Sequence, residues 1–252
     1  MFLPGLPVDL IRACYTAAAG NEIATGKFDN RRSSAALAAN TFGKYLGRPE
    51  AMPRLPGDRG TDWPAKQIQL EATLRFPWPG GRLPCLDAMI TTSERLIGVE
   101  SKRFEPFRIG RSARLSPAYW RPLWGTQMTQ YEAMRNRLHE AEESFRYLDA
   151  TELVRHAFGL RTAVHRDARR RGLSPLLLYV FAEPDHGPDG RAIPPDAHVA
   201  HRSEVARFKA AVAGDEVDFR AFSYRELLAG WVAAGSLEDI EHAGAVIRLF
   251  GP

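Results

Sequence analysis

The chain predicts an α/β domain in which helices flank a mixed central sheet, with extra helices at the N-terminus. Three observations carry this prediction. Residues 67–102 read as three short strands separated by turns, with apolar residues recurring at strand spacing. Leu176 to Ala182 is continuously apolar and strand-sized, which suits a strand buried on both faces. Stretches of helical periodicity precede, separate and follow these strands, so helices must cover the sheet.

Each element has its own signal. Residues 8–19 form a short helix with Leu10, Ile11, Cys14 and Tyr15 on one side, closed by Gly20. Ser33 or Ser34 caps a second helix through Leu46, with Leu37, Thr41 and Tyr45 at helical spacing and Gly47 just beyond. Four prolines between Pro49 and Pro64 make that stretch a loop. Strands follow at 67–76, 83–91 and 95–102, the first two joined by the turn PWPGG. Trp124 to Leu138 reads as a helix with Met128, Tyr131, Met134 and Leu138 in one stripe, and 151–171 as another. The buried strand at 176–182 precedes a proline-rich loop, a helix at 197–213, a strand at 217–222 and a helix at 223–233. The whole chain, 1–252, is read as one domain: helices and loop over 1–64, a motif-bearing core over 65–140, and helix-strand completion of the sheet over 141–252.

At 252 residues, 44% hydrophobic and 25% charged, the chain is long enough to bury a core and is not disordered. It lacks the roughly 18-residue apolar run of a membrane span, and its N-terminus lacks the basic start of a secretory signal. Two cysteines cannot build a disulfide framework, so the expected setting is a reducing cytoplasm. The formal charge of +4 permits nucleic-acid binding, with basic residues concentrated at 95–121 and 155–171. Solvated helix and loop faces would account for the same clusters. There are 29 Arg but only 5 Lys, so a lysine marks a position where a compact ammonium is wanted. Only Lys102 has an acid two residues before it.

No Walker loop, Rossmann glycine fingerprint, GxSxG elbow or HExxH is present, which removes support for the chemistries they serve. His198 and His201 lack partners at zinc spacing and are assigned to an exposed helix surface. The informative stretch is PCLDAMITTSERLIGVESKRFEPF, residues 84–107. Strand alternation turns Glu100 and Lys102 to one face and Ser101 to the other. Antiparallel pairing across a turn at 92–94 brings Asp87 beside Glu100. Two carboxylates with an ammonium suit a hard-cation hydrolase: the acids hold Mg²⁺ and the lysine offsets charge on a phosphate. A cross-strand salt bridge would use the same residues.

The run LIGVESK, with Asp87 upstream, Glu100 and Lys102, resembles the PD-(D/E)XK nuclease superfamily; twelve residues separate the acids, and Leu86 stands where the name-giving pattern has Pro. Gln127 and Tyr131 in WGTQMTQYEAMRN match the Q-x-x-x-Y helix of its RecB-like members. GNEIATGKF and SSAALAANTFG are similar to a restriction-endonuclease branch. The resemblance implies a restriction-endonuclease-like fold and a Mg²⁺-dependent deoxyribonuclease, with Mn²⁺ substituting. In it Asp87, Glu100 and Glu71 hold metal, Lys102 positions water, and Ser101, Gln127 and Tyr131 line the site. Glu22 is a further candidate for the metal. DNA is the expected partner, with its phosphates met by the two arginine-rich stretches; a homodimer is left open. The alternative is a nucleic-acid-binding or interaction protein that keeps the fold without cutting.

Overall fold

The computed structural model describes residues 1–18, 26–30, 32–78, 83–108 and 114–252. Five strands form one sheet in chain order: β1 (Gln67–Thr73), β2 (Cys85–Thr91), β3 (Arg95–Lys102), β4 (Ser174–Phe181) and β5 (Asp218–Ser223). The first three pair antiparallel as a meander, and β4 and β5 continue the sheet in parallel with β3. The sheet is therefore mixed. The antiparallel links need only short turns, whereas each parallel link requires a helical crossover.

Two helical layers cover it. α1 (Val8–Ala17), α2 (Ser34–Phe42), α6 (Tyr224–Ala234) and α7 (Leu237–Phe250) enclose one core with Ile11, Leu37, Val99, Leu178 and Trp231. α3 (Thr129–His139), α4 (Ala150–Arg166) and α5 (Pro195–Ala211) enclose the other with Tyr131, Phe158, Tyr179 and Phe208. β4 has seven buried residues out of eight because both layers press on it. No helix among the described residues is long and apolar enough to cross a membrane.

Several boundaries differ from the sequence expectation, each for a local reason. α3 starts at Thr129 rather than Trp124, because Gly125 takes φ 68° and Met128 is non-helical. Trp124 is instead buried against Phe76, Trp78 and Phe158. α7 is an element that the sequence reading left out. Its buried side includes Asp239 and His242, while Leu237, Ile240 and Ile247 face outward, so its apolar periodicity is blurred. A capping box between Ser236 and Asp239 starts it.

β1 changes face part-way along. Ile68 and Leu70 join the first core, whereas Ala72 joins the second. Between them Glu71 adopts φ 51°, a left-handed conformation disfavoured for a residue with a Cβ. The register runs from Leu70↔Ala88 to Ala72↔Leu86 across it, which puts Glu71 on the rung of Asp87.

Candidate active site

Asp87 stands where β2 and β3 stop pairing. Their ladder ends at Ala88↔Val99, and beyond it the Asp87 carboxylate accepts the Ser101 N–H at 2.7 Å. A side chain thus takes over from the backbone as the strands part. Ser101 turns its hydroxyl to the first core, 2.6 Å from the Tyr224 hydroxyl. Glu100 and Lys102 turn the opposite way, towards α4, as alternation requires.

α4 supplies two residues that the sequence reading did not single out. Asp149 caps the helix by accepting the Glu152 N–H at 2.9 Å. One turn on, Glu152 and His156 project from the same face. His156 Nε2 lies 2.9 Å from Glu100 Oε2, and Lys102 Nζ lies 2.6 Å from Glu152 Oε2 while also pairing with Glu100. Arg155 braces Glu152 at 3.0 Å. One ligand atom each from Glu100, Glu152 and His156 fall within 4.8 Å of one another. The signal for this was present: Glu-x-x-x-His on a predicted helix. It had no meaning until the helix was laid across the end of β3.

The acids are driven apart in proton affinity. Burial pushes the Asp87 carboxyl well up, and the charges of Glu100 and Glu71 add to this, outweighing Lys102 and the Ser101 N–H. Burial also pushes Glu100 up, but the Lys102 ammonium and His156 overcome it and hold Glu100 down at about 2. Lys102 loses solvation too, yet Glu100, Glu152 and Asp87 keep it charged and raise it well above its ordinary value. Glu100 is therefore anionic, and Asp87 resists becoming so. Divergent carboxylates of this kind are what acid–base and metal sites are built from.

Glu71 lies on the far side of Asp87 from Glu100. The Cys85 thiol donates to Glu71 Oε2 at 3.4 Å, and burial, with Glu71 beside it, pushes that thiol up to about 12. Burial followed by Glu71 and Asp87 raises the Tyr15 phenol well above its ordinary value. The carboxylates thus run in a row across three strands, from Glu71 through Asp87 to Glu100.

A cleft of about 890 Å³ opens over the α4 side, lined by Lys102, Arg108, Arg114, Trp120 and Arg135 and by the acids Glu105, Glu143 and Glu152. Arg135 stacks 5.1 Å from the Trp120 ring and donates to the Tyr119 carbonyl at 2.6 Å. Trp120 in turn donates to Asn136 at 3.0 Å. The second arginine stretch is less available than expected. Arg155 is committed to Glu152, Arg161 donates to the Leu123 carbonyl at 2.6 Å, and Arg170 lies 3.4 Å from Asp167.

Gln127 and Tyr131 are not brought to this place. Gln127 is exposed and precedes α3, so the two do not share a helical face. Tyr131 is fully buried against Phe208, its N–H donating to Asp215 at 2.8 Å, and its hydroxyl feels the charges of Asp215 and Asp218 at the start of β5. It belongs to the core at the other end of the sheet. His201 is also buried, not exposed: its Nε2 is 3.0 Å from the Tyr179 hydroxyl and its ring packs on Phe181. Helix α5 lies across the sheet at that point, which periodicity alone did not reveal. Glu22 lies outside the described residues.

No protein-family model, curated protein or solved structure matches the chain. Its chemistry has to be argued from the site itself.

Proposed function

We propose that the chain is a divalent-cation-dependent deoxyribonuclease of restriction-endonuclease-like fold, hydrolysing phosphodiester bonds with Asp87, Glu100 and Lys102. One observation carries the reading: an acid that resists ionisation, an anionic acid and a buried ammonium come together where two strands part, and the ammonium also lines a cleft that carries Arg108, Arg114 and Arg135. The residues fit a cation such as Mg²⁺, for which Mn²⁺ would substitute. Asp87 is raised first by burial and then by Glu100 and Glu71 beside it, and a dication held by Asp87 and Glu100 would offset both the lost solvation and the repulsion. Glu71 stands in the same row and would assist through its charge.

When bound, the cation supplies Lewis-acid polarisation of the phosphate and a readier supply of hydroxide. Lys102 holds a compact positive charge in the lining of the cleft, where it would offset negative charge building on the phosphate oxygens. Arg108 and Arg114 line the same cleft and are exposed, so they are available to phosphates further along the strand. Trp120, one edge on the cleft, offers a ring for a base.

A purely structural ion-pair cluster would also hold Lys102 between Glu100 and Glu152. It would have no use for Asp87 kept against its own proton affinity. Incubating purified protein with supercoiled plasmid, linear duplex and single-stranded DNA, with Mg²⁺, Mn²⁺ or EDTA, separates the readings. Cutting that EDTA stops and Glu100→Gln removes is expected. Intact DNA under every condition would leave a non-cleaving binding protein as the better description.

A further inference from the structure

His156 is hard to explain as a core residue. It is 1% exposed, and its Nδ1 has no hydrogen-bond partner among the described residues. Yet Nε2 is aimed at Glu100 Oε2 from 2.9 Å. A buried imidazole with one ring nitrogen unpaired and the other turned to a carboxylate is costly unless it serves a purpose, and histidine is the commonest protein ligand for transition metals. The atoms around it complete a donor set. Glu100 and Glu152 add carboxylate oxygens, and the three ligand atoms lie within 4.8 Å of one another. Cation-to-ligand bonds of about 2.0–2.2 Å need only a small contraction of that group.

We propose that Glu100, Glu152 and His156 form a transition-metal site, selective for Mn²⁺- or Zn²⁺-class cations over Mg²⁺, whose place the Lys102 ammonium holds until the metal enters. Lys102 touches both carboxylates of the set, 2.6 Å from Glu152, and so neutralises them as a tethered cation. Lys102 and Glu152 line the cleft, which gives a dication a way in and the displaced ammonium a way out to water. His156 decides selectivity. Magnesium favours oxygen-only octahedral surroundings, whereas an imidazole beside two carboxylates suits borderline cations. The site shares Glu100 with the proposed nuclease centre, but it lies on the α4 side and does not use Asp87. It stands whether or not the protein cuts DNA.

Co²⁺ is a direct probe because its visible absorption reports nitrogen and oxygen ligation without any turnover. The full chain, stripped with EDTA and dialysed, is titrated with Co²⁺ alone, then with Co²⁺ against about a thousandfold excess of Mg²⁺. Saturable absorption that survives the Mg²⁺ is expected. Glu152→Gln and His156→Gln should each weaken binding at least about tenfold. Lys102→Gln should tighten it by removing the resident cation. Melting curves without metal establish that each variant is folded. Glu152 sits at the cleft rim, so its variant keeps the test open if the His156 change disrupts the core. Wild-type Co²⁺ affinity in a folded Glu152→Gln or His156→Gln chain would overturn the site, as would displacement by equimolar Mg²⁺. Cobalt binding with these losses but no cutting of DNA would support the site while removing the nuclease reading. Cutting in Mg²⁺ by a His156→Gln chain that binds cobalt as wild type does would remove the site alone.

Discussion

Replacing Asp87 with Asn should make the protein more stable while removing the proposed cleavage. The Asn carbonyl still accepts the Ser101 N–H, so the 2.7 Å contact that bridges the parted strands is kept. What is lost is a buried carboxyl that can ionise only at a cost, with Glu100 on one side and Glu71 on the other. The Lys102 ammonium beside it is already shared between Glu100 and Glu152. Burial and two like charges against one shared cation leave Asp87 with a proton affinity raised in the folded state. Such a group contributes its full stability below its unfolded pKa, near 3.8, and loses it as pH rises through the folded value. Asn carries no charge at any pH, so its advantage grows as pH rises above about 3.8. A gain of about 0.5–2 kcal/mol is expected at pH 8, of the size found when strained active-site groups are relieved. At about 2–4 °C per kcal/mol for a domain of this class, melting should rise by roughly 1–8 °C. Calorimetry at pH 8 and about pH 2.5 reads this directly, with the difference vanishing at the lower pH, and plasmid cleavage in Mg²⁺ reads the loss of the proposed activity. A variant melting lower than wild type at pH 8 would make Asp87 an ion-pair partner of Lys102, and retained cleavage would put the chemistry elsewhere.

Lys102→Arg should cut at least about tenfold more slowly under single-turnover conditions, about 1.4 kcal/mol of barrier, because a planar guanidinium cannot stand where the ammonium does. Lys102 is only 17% exposed between two carboxylates, so this change should also cost about 1–3 kcal/mol in stability by overpacking, more than an exposed pair would lose; a wild-type cutting rate would make Lys102 structural. Burial lowers His201 and His242 to about 4, so the stability they contribute is present above pH 6.5 and lost as pH falls towards 4. Each accounts for about 3 kcal/mol over that window, and His201→Gln should flatten the pH dependence of melting; an unchanged profile would exclude the buried neutral imidazole as its source. Tyr131→Phe should leave stability unchanged or raise it by up to about 1 kcal/mol, since its buried hydroxyl has no hydrogen-bond partner among the described residues. Its cleavage should match wild type, and a clear loss of cutting would return Tyr131 to the site.

By itself the sequence determined the alternation of helix and strand, the meander, and the double burial of β4. These follow from short-range periodicity, which the backbone repeat imposes on every strand and helix. It also determined the placement of Glu100 and Lys102 on one face of β3, because two residues apart on a strand admits no other outcome. Tertiary structure decided what meets that face. Gln127 and Tyr131 had the right spacing for a shared helical side, but Gly125 and Met128 delay the helix, and Tyr131 is drawn into the core by Phe208. Glu152 and His156, fifty residues or more from Glu100, reach it only because α4 crosses the end of the parallel pair β3 and β4. The strained turn at Glu71 and the parting of β2 from β3 at Asp87 are likewise long-range results, fixed by which side of the sheet each layer covers. Local pattern selects the elements. Burial of their apolar faces against distant partners selects which polar groups are left together, and the chemistry of the site lies in that second choice.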